Sequence, residues 1–196
     1  SGVFGLDISS LGYSKYNENK LGVAYGRTFG EYFSAGIQLD YLRTQIAENY
    51  GSKGVIAGEA GVQAKLAKNL VIGAHIFNLN RAKGASYNNE KIPTIMRAGI
   101  GYTFSDKVIV CVETEKDIDF KSIVNFGMEY HIIESLYIRA GTSSNPFVNS
   151  FGVGVLLKNF QLDMAASMHP VLGYSSQVSL TYQLGKEVAP KQKSKT

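Results

Sequence analysis

The chain has 196 residues, a formal net charge of +4 and 18% charged residues, fewer than the roughly 25% of an ordinary soluble domain. Gly is frequent, at 21 residues, which favours a β-rich chain. The single cysteine, Cys111, excludes an internal disulfide and a thiolate metal cluster. The length suits one domain, either a packed one or a membrane barrel.

The positive charge is concentrated at the C-terminus. Within residues 185–196, four lysines and one glutamate give +3, which leaves +1 for the rest of the chain. Proteins that bind nucleic acid carry a basic face with aromatic platforms, and residues 1–184 show no such stripe. Nucleic acid is therefore not an expected partner. We predict a β-barrel domain over residues 1–184 and a basic, disordered tail over residues 185–196.

Alternation of apolar and polar residues dominates the chain. From Phe33 to Tyr41 every second residue is apolar, which fits a strand with two different faces. No apolar run reaches the roughly 18 residues that a membrane helix needs. The pattern predicts about twelve strands, over residues 2–11, 20–29, 32–43, 54–66, 69–78, 93–104, 107–116, 120–131, 136–142, 149–157, 159–168 and 174–184.

The predicted connections differ in length at the two ends of the strands. Tight links follow the even-numbered strands, at residues 30–31, 67–69, 105–106, 132–135 and 158–159. Longer links follow most odd-numbered strands, at residues 12–19, 44–53, 79–92, 143–148 and 169–173, whereas the link at 117–119 is short. Outer-membrane barrels join antiparallel strands by short periplasmic turns and longer external loops, and their strands are about ten residues long.

The two faces of the predicted strands differ in chemistry. One face is apolar and free of charge, as in Phe4, Leu6 and Ile8 of the first strand. The other face carries many glycines and sparse charges of both signs. We predict that the charged residues of this second face point into the lumen of a barrel: Asp7, Asp40, Glu59, Lys65, Arg97, Glu113, Glu115, Glu129, Arg139 and Asp163.

An uncharged face is what a membrane barrel requires, because a charge at the membrane midplane costs about 2–4 kcal/mol. The glycine-rich second face suits a narrow lumen in which acids and bases pair across the space. A soluble β-barrel that carries a small ligand gives the same alternation with the apolar face inward. In that alternative, Phe, Met and Tyr side chains line a dry cavity.

Several segments resemble the PorV/PorQ-like outer-membrane barrels associated with type IX secretion. These segments are GYSKYNENKLGVAYGRTFG from Gly12, FSAGIQLDY from Phe33, Asn145-Pro146, FQLDMAASMHP from Phe160 and LGYSSQVSLTY from Leu172. The resemblance implies a fold related to the long-chain fatty-acid transporter barrels, with fourteen strands and an N-terminal segment carrying an Asn-Pro-Ala-Gly-like signature. That segment is missing from this sequence, and twelve strands plus one N-terminal hairpin would make fourteen.

Patterns for catalysis and for cofactor binding are weak. His75, His131 and His169 each stand alone, which indicates hydrogen bonding rather than metal ligation. Glu113 and Glu115 lie two apart on one strand face, as paired catalytic carboxylates do, but paired acids also arise in a polar lumen. We expect no enzyme activity, no cofactor and no metal. An outer-membrane enzyme that uses these two glutamates is the least favoured hypothesis.

Together these observations predict an antiparallel β-barrel in a bacterial outer membrane, with lipid and other outer-membrane or secretion-system proteins as partners. The family resemblance implies a non-enzymatic role in secretion or in the passage of hydrophobic solute. The candidate working surfaces are the loops at 44–53 and 79–92 and the lumen residues Arg97, Glu113, Glu129, Arg139 and Asp163. A salt-bridge network that only stiffens the wall would explain the same charges, and both interpretations stay open.

Overall fold

The computed structural model describes residues 2–13, 16–46, 52–83, 92–105 and 107–183. They form one sheet of twelve antiparallel strands, in which each strand is hydrogen-bonded to the strands before and after it in the chain. The all-β prediction of about twelve strands is confirmed. The strands are β1 (Gly2–Tyr13), β2 (Tyr16–Phe29), β3 (Phe33–Ile46), β4 (Ser52–Ala67), β5 (Leu70–Phe77), β6 (Ile95–Phe104), β7 (Val108–Asp117), β8 (Ile123–Ile133), β9 (Leu136–Ser144), β10 (Phe147–Leu157), β11 (Phe160–His169) and β12 (Gly173–Tyr182).

The chain forms two compact units. Unit 1 comprises residues 1–100 and 114–122, and unit 2 comprises residues 101–113 and 123–196. The predicted tail at residues 185–196 and the predicted domain boundary at residue 184 lie outside the described residues.

The tight links predicted after the even-numbered strands are present. They join β2 to β3, β4 to β5, β6 to β7, β8 to β9 and β10 to β11. Left-handed backbone conformations help the chain to reverse at three of them: Gly30 has φ 65°, Ser105 has φ 52° and Lys158 has φ 52°. Gly adopts this conformation without cost, whereas Ser and Lys do so only with some strain.

Four of the five predicted longer links are shorter than predicted, because the strands leave only residues 14–15, 47–51, 145–146 and 170–172 between them. Strand β1 extends to Tyr13 and strand β2 already begins at Tyr16. Only Asn145 and Pro146 separate β9 from β10. The alternation breaks beside the first link, because Asn17 and Glu18 of β2 are both polar and Leu11 of β1 lies on the face of Asp7, yet Gly12 still pairs with Asn17 across the hairpin. Hydrophobic alternation therefore ends before the backbone pairing does. The link after β7 is longer than predicted, at residues 118–122.

The apolar side chains of the sheet are exposed. Phe4 is 79% exposed and Phe151 is 67% exposed, and the apolar buried residues of the described chain are limited to Ala57 and Tyr137. An exposed apolar surface of this extent marks a membrane or interaction surface. It disagrees with the soluble-carrier alternative, which needs these side chains around an internal cavity. None of the described segments forms a helix of the length and apolar character needed to cross a membrane.

Cross-strand register places the polar residues on the opposite face. Asp7 of β1 lies opposite Gly22 of β2, which lies opposite Asp40 of β3, and Asp40 lies opposite Ala57 of β4. Residues that face each other across antiparallel strands lie on the same side of the sheet. Since side chains alternate along a strand, Glu59 shares that side, which we call the polar face.

Candidate functional site

Unit 1 carries a charged cluster that spans five strands, which we call the Lys20 cluster: Asp7, Lys20, Asp40, Glu59 and His75. The Lys20 ammonium lies 2.9 Å from a carboxylate oxygen of Glu59, and 3.3 Å from one of Asp7 and one of Asp40. The His75 ring lies 2.9 Å from the other oxygen of Glu59. One lysine therefore bridges three carboxylates that come from three different strands.

A glycine makes room for the Lys20 cluster. Gly22 lies between Asp7 and Asp40 in the register of β1, β2 and β3. A Cβ atom at Gly22 would lie 2.4 Å from Oδ1 of Asp40 and 3.3 Å from the Cβ of Asp7. Any side chain at this position would therefore force the carboxylate of Asp40 to shift from its place beside Lys20.

Asp40 is the most deeply buried member of this cluster, at 1% exposure. Its Oδ1 accepts a hydrogen bond of 2.8 Å from the Gln38 side chain and also faces Lys20, whereas its Oδ2 is buried with no partner. A buried carboxylate without full compensation is costly. The Gln38 amide and the Lys20 ammonium together compensate the charge of Asp40, and Lys20 is the cation among its partners.

Unit 2 carries a second cluster, which we call the Arg139 cluster: Glu129, His131, Tyr137, Arg139 and Asp163. Arg139 donates from Nε to Glu129 over 2.6 Å and from Nη1 to Asp163 over 2.8 Å. The His131 ring lies 2.6 Å from the other oxygen of Glu129, and the Tyr137 hydroxyl donates to Asp163 over 3.0 Å. The guanidinium also lies over the Tyr137 ring, 4.6 Å from its centre.

Gly154 is the counterpart of Gly22 in unit 2. It pairs with Tyr137 on one side and with Asp163 on the other, so the tyrosine must cross over β10 to reach the aspartate. A Cβ atom at Gly154 would lie 2.0 Å from the Tyr137 ring. The absence of a side chain at this one position allows a hydrogen bond between two strands that are not adjacent.

The two clusters share a local arrangement. In each, the sequence Gln-Leu-Asp places an amide two residues before the aspartate, and the amide donates to it over 2.8 Å: Gln38 to Asp40, and Gln161 to Asp163. In each, the aspartate lies opposite a glycine of the preceding strand. In both units an amide and a cation bind a carboxylate on the polar face, and a glycine opposite leaves space for it.

The structure separates the predicted lumen residues into groups. Asp7, Asp40 and Glu59 join the Lys20 cluster, and Glu129, Arg139 and Asp163 join the Arg139 cluster. Arg97 and Glu115 form a pair of their own at 2.6 Å, and Glu113 accepts a weak hydrogen bond of 3.4 Å from Asn125. Lys65 has no acidic partner among the residues described. That all ten face a lumen stays a prediction.

The sequence interpretation missed four members of the clusters: Lys20, His75, His131 and Tyr137. Lys20 has the same parity as Gly22, but it stood at the margin of a predicted loop. The histidines were expected to form hydrogen bonds, and both do, to Glu59 and Glu129. Glu129 lies on the same strand as His131, whereas the partners of Lys20, His75 and Tyr137 lie one or two strands away and follow only from the register.

A buried asparagine organises the chain after β5. Asn78 is fully buried and has φ 54°. Its side chain donates to the carbonyls of Ala82 and Ile92 and accepts from the N–H of Ala82. Next to it, the amide of Asn80 bonds to the backbone of β4 as a paired strand would. Hydrogen bonds from Asn78 and Asn80 therefore stabilise the beginning of the loop at 79–92, which was predicted to be a working surface. Residues 84–91 of this loop and residues 47–51 of the loop at 44–53 lie outside the described chain.

The charges within each of the two clusters do not balance. Each cluster has an excess of carboxylates: three against one lysine in the first, and two against one arginine in the second. The described segments hold no group of three or more His, Cys, Asp or Glu side chains placed to bind a metal ion.

Comparison with solved structures identifies the fold. The chain superimposes on the toluene transporter TodX of Pseudomonas putida with a TM-score of 0.63 and 12% identity, over 84% of this chain and 67% of TodX. The monoaromatic hydrocarbon channel CymD gives 0.59 and 14%, over 92% and 78% of the two chains. The KdgM porin in complex with oligogalacturonate gives 0.56 and 10%, over 93% and 100%.

Sequence comparisons add no family to this result. No protein-family model matches the chain. No curated protein matches it either. At identities of 10–14%, the structural similarities establish the fold alone. The chain has the fold of outer-membrane β-barrel channels.

Proposed function

We propose that the chain forms the wall of an outer-membrane channel for small hydrophobic solutes, and that it is not an enzyme. The observation that carries the proposal is the sheet with two opposite faces, one apolar and exposed, the other polar and ion-paired. In an outer-membrane barrel the first face contacts lipid and the second lines the lumen. The fold shared with three channel proteins supports this orientation.

The charge of the polar face favours a neutral solute over an acidic one. TodX and CymD are described as carrying toluene and monoaromatic hydrocarbons, whereas KdgM is described with an oligogalacturonate, an acidic sugar. Both charged clusters have more carboxylates than cations. A lumen of negative potential repels anions, so an acidic oligosaccharide is the less suitable substrate.

Uptake in cells tests the proposal. The full chain is expressed in a Gram-negative host that lacks its own hydrocarbon channel, and uptake of radiolabelled toluene is compared with that of an oligogalacturonate. We expect faster toluene uptake and no gain for the acidic sugar. Faster uptake of the sugar alone would refute the choice of substrate, and no gain for either, with the protein folded in the outer membrane, would refute the channel.

A pair of variants tests whether the polar face lines the pathway. Asp163→Asn removes one negative charge of the Arg139 cluster and keeps the shape of the side chain. If the polar face lines the pathway, single-channel recordings in planar bilayers will show lower cation selectivity for this variant. Val153→Ile, on the apolar face of β10, should leave selectivity unchanged.

An exposed apolar turn supports a second candidate function, association with another outer-membrane or secretion-system protein. Between β11 and β12, Val171 and Leu172 are 84% and 82% exposed. Their N–H groups both donate to the His169 ring over 3.1 Å, which holds the turn in one conformation. A fixed, exposed apolar tip suits protein docking. Co-purification of a partner that the double variant Val171→Ser/Leu172→Ser loses would support this role, which the PorV/PorQ-like resemblance also implies.

A further inference from the structure

A groove lies at the tight link between β10 and β11, beside the end of β12. Its volume is about 600 Å³. The Phe160 and Tyr182 rings pack against each other at its wall, with centres 4.6 Å apart. The lining residues are Leu156, Leu157, Lys158, Asn159, Phe160 and Tyr182. Leu157, Phe160 and Tyr182 belong to the exposed apolar face, so the groove opens where lipid would lie.

The single cation of this groove is Lys158. It is exposed and forms no ion pair with any residue that the structure describes. It also occupies a left-handed backbone position, at φ 52°, where a glycine would fit without strain. A lysine at such a position is not the choice that local stability favours, and this points to a use for its charge.

The groove is held in place by the end of the last strand. The N–H of Gln183 donates to the carbonyl of Asn159, and the Asn159 side chain donates to the carbonyl of Gln183, both over 2.9 Å. The wall formed by Phe160 and Tyr182 is therefore fixed relative to the turn that carries Lys158.

We propose that this groove binds an anionic phospholipid of the periplasmic leaflet. An acyl chain would lie along Leu157, Phe160 and Tyr182, and the phosphate would contact the ammonium of Lys158. Aromatic side chains at the edge of the apolar band lie at the level of the lipid headgroups, and lysine is a suitable point charge for a phosphate there. The inference rests on the membrane position given by the proposed function but not on transport.

Native mass spectrometry of the full chain, purified in detergent, tests the inference. The protein is titrated with phosphatidylglycerol and, separately, with the zwitterionic phosphatidylethanolamine. We expect tighter retention of phosphatidylglycerol by the unmodified protein. Lys158→Gln should weaken it about fivefold, which corresponds to about 1 kcal/mol per basic residue near an anionic lipid. Lys158→Arg should retain it.

Two further variants separate binding from other effects. Lys158→Gly removes the charge and relieves the backbone strain, so we expect unchanged or higher stability together with loss of phosphatidylglycerol. Lys107→Gln removes an equal charge from the tight link between β6 and β7 and should leave retention unchanged. Equal losses in Lys107→Gln and Lys158→Gln would overturn the inference, as would unchanged retention in Lys158→Gln.

A competition experiment distinguishes a lipid from a free phosphate group. Soluble glycerol 3-phosphate at millimolar concentration should fail to displace phosphatidylglycerol, because it lacks the acyl chains. Displacement would overturn the inference in favour of a simple anion site. A folded protein that transports solute but shows no preference for phosphatidylglycerol would refute only this inference, whereas a protein that does not fold in detergent would refute the proposed function as well.

Discussion

Replacement of Lys20 by Met tests whether the Lys20 cluster stabilises the sheet. Met keeps the length and the apolar stem of lysine but removes its charge. Three carboxylates then lose their shared cation: Asp40, whose side chain is fully buried, Glu59, which is 14% exposed, and Asp7, which is 45% exposed. Removal of one partner from a buried ion pair costs about 3–5 kcal/mol, and an exposed pair contributes less than about 1 kcal/mol.

The expected loss in the free energy of unfolding is about 3 kcal/mol, at the lower end of the buried range, because the Lys20 side chain is itself 24% exposed. Unfolding in urea is followed for the protein refolded in detergent, by the heat-modifiable shift of the barrel on gels. The matched control is Lys65→Met, which removes a lysine of the same face that has no acidic partner in the described chain. We expect this control to lie within about 0.5 kcal/mol of the unmodified protein.

A double variant tests whether the buried charge of Asp40 causes the loss of stability in Lys20→Met. Asp40→Asn removes the buried charge and keeps the side-chain shape, so in the Lys20→Met background it should recover about 1–2 kcal/mol. Strict additivity of the two substitutions would show that the two side chains are not coupled. A loss of less than 0.5 kcal/mol in Lys20→Met alone, about the size expected of an ordinary surface substitution, would refute the stabilising role of the cluster.

Three other substitutions test the architecture. Gly154→Ala places a Cβ atom against the phenol ring that crosses β10 and should cost about 1–3 kcal/mol in urea unfolding, whereas Gly101→Ala, with no atom within 4 Å, should cost much less. Ile37→Lys puts a charge on the apolar face and should cost about 2–4 kcal/mol in lipid vesicles, whereas Gln63→Lys on the polar face should be tolerated; equal costs would show that the faces are wrongly assigned. Asn78→Ala removes three hydrogen bonds to part-buried backbone groups and should speed proteolysis between β5 and β6, and an unchanged cleavage rate would contradict the stabilising role of Asn78 there.

The sequence predicted the strands well because alternation and turn residues are local signals. Phe33 to Tyr41 alternates along its whole length, and it lies within β3. The ends of β1 and β2 were missed because the alternation of apolar and polar residues breaks there, although Gly12 and Asn17 still pair. Hydrophobic alternation identifies the part of a strand that has one face in an apolar medium. It does not identify a part of a strand that has water on both faces.

The candidate site was predictable only in part. Alternation assigned Asp40 and Glu59 to one face, but the choice of Lys20 as their common partner depends on register, which is a relation between strands. The sequence showed that one face is rich in glycine, and the two glycines that permit the close contacts, Gly22 and Gly154, belong to that face. Their function could not be read from sequence, because it depends on which side chain lies directly across from each.

The Lys20 cluster also limits errors during assembly of the sheet. Side chains alternate with a period of two, so a slip of one residue in the pairing of β3 would turn Asp40 toward the apolar side. In a membrane that misplaced charge would cost about 2–4 kcal/mol, and the shared lysine contacts would be lost as well. Because the cluster is complete only when β5 brings His75 to Glu59, its contacts favour the correct pairing of all five strands.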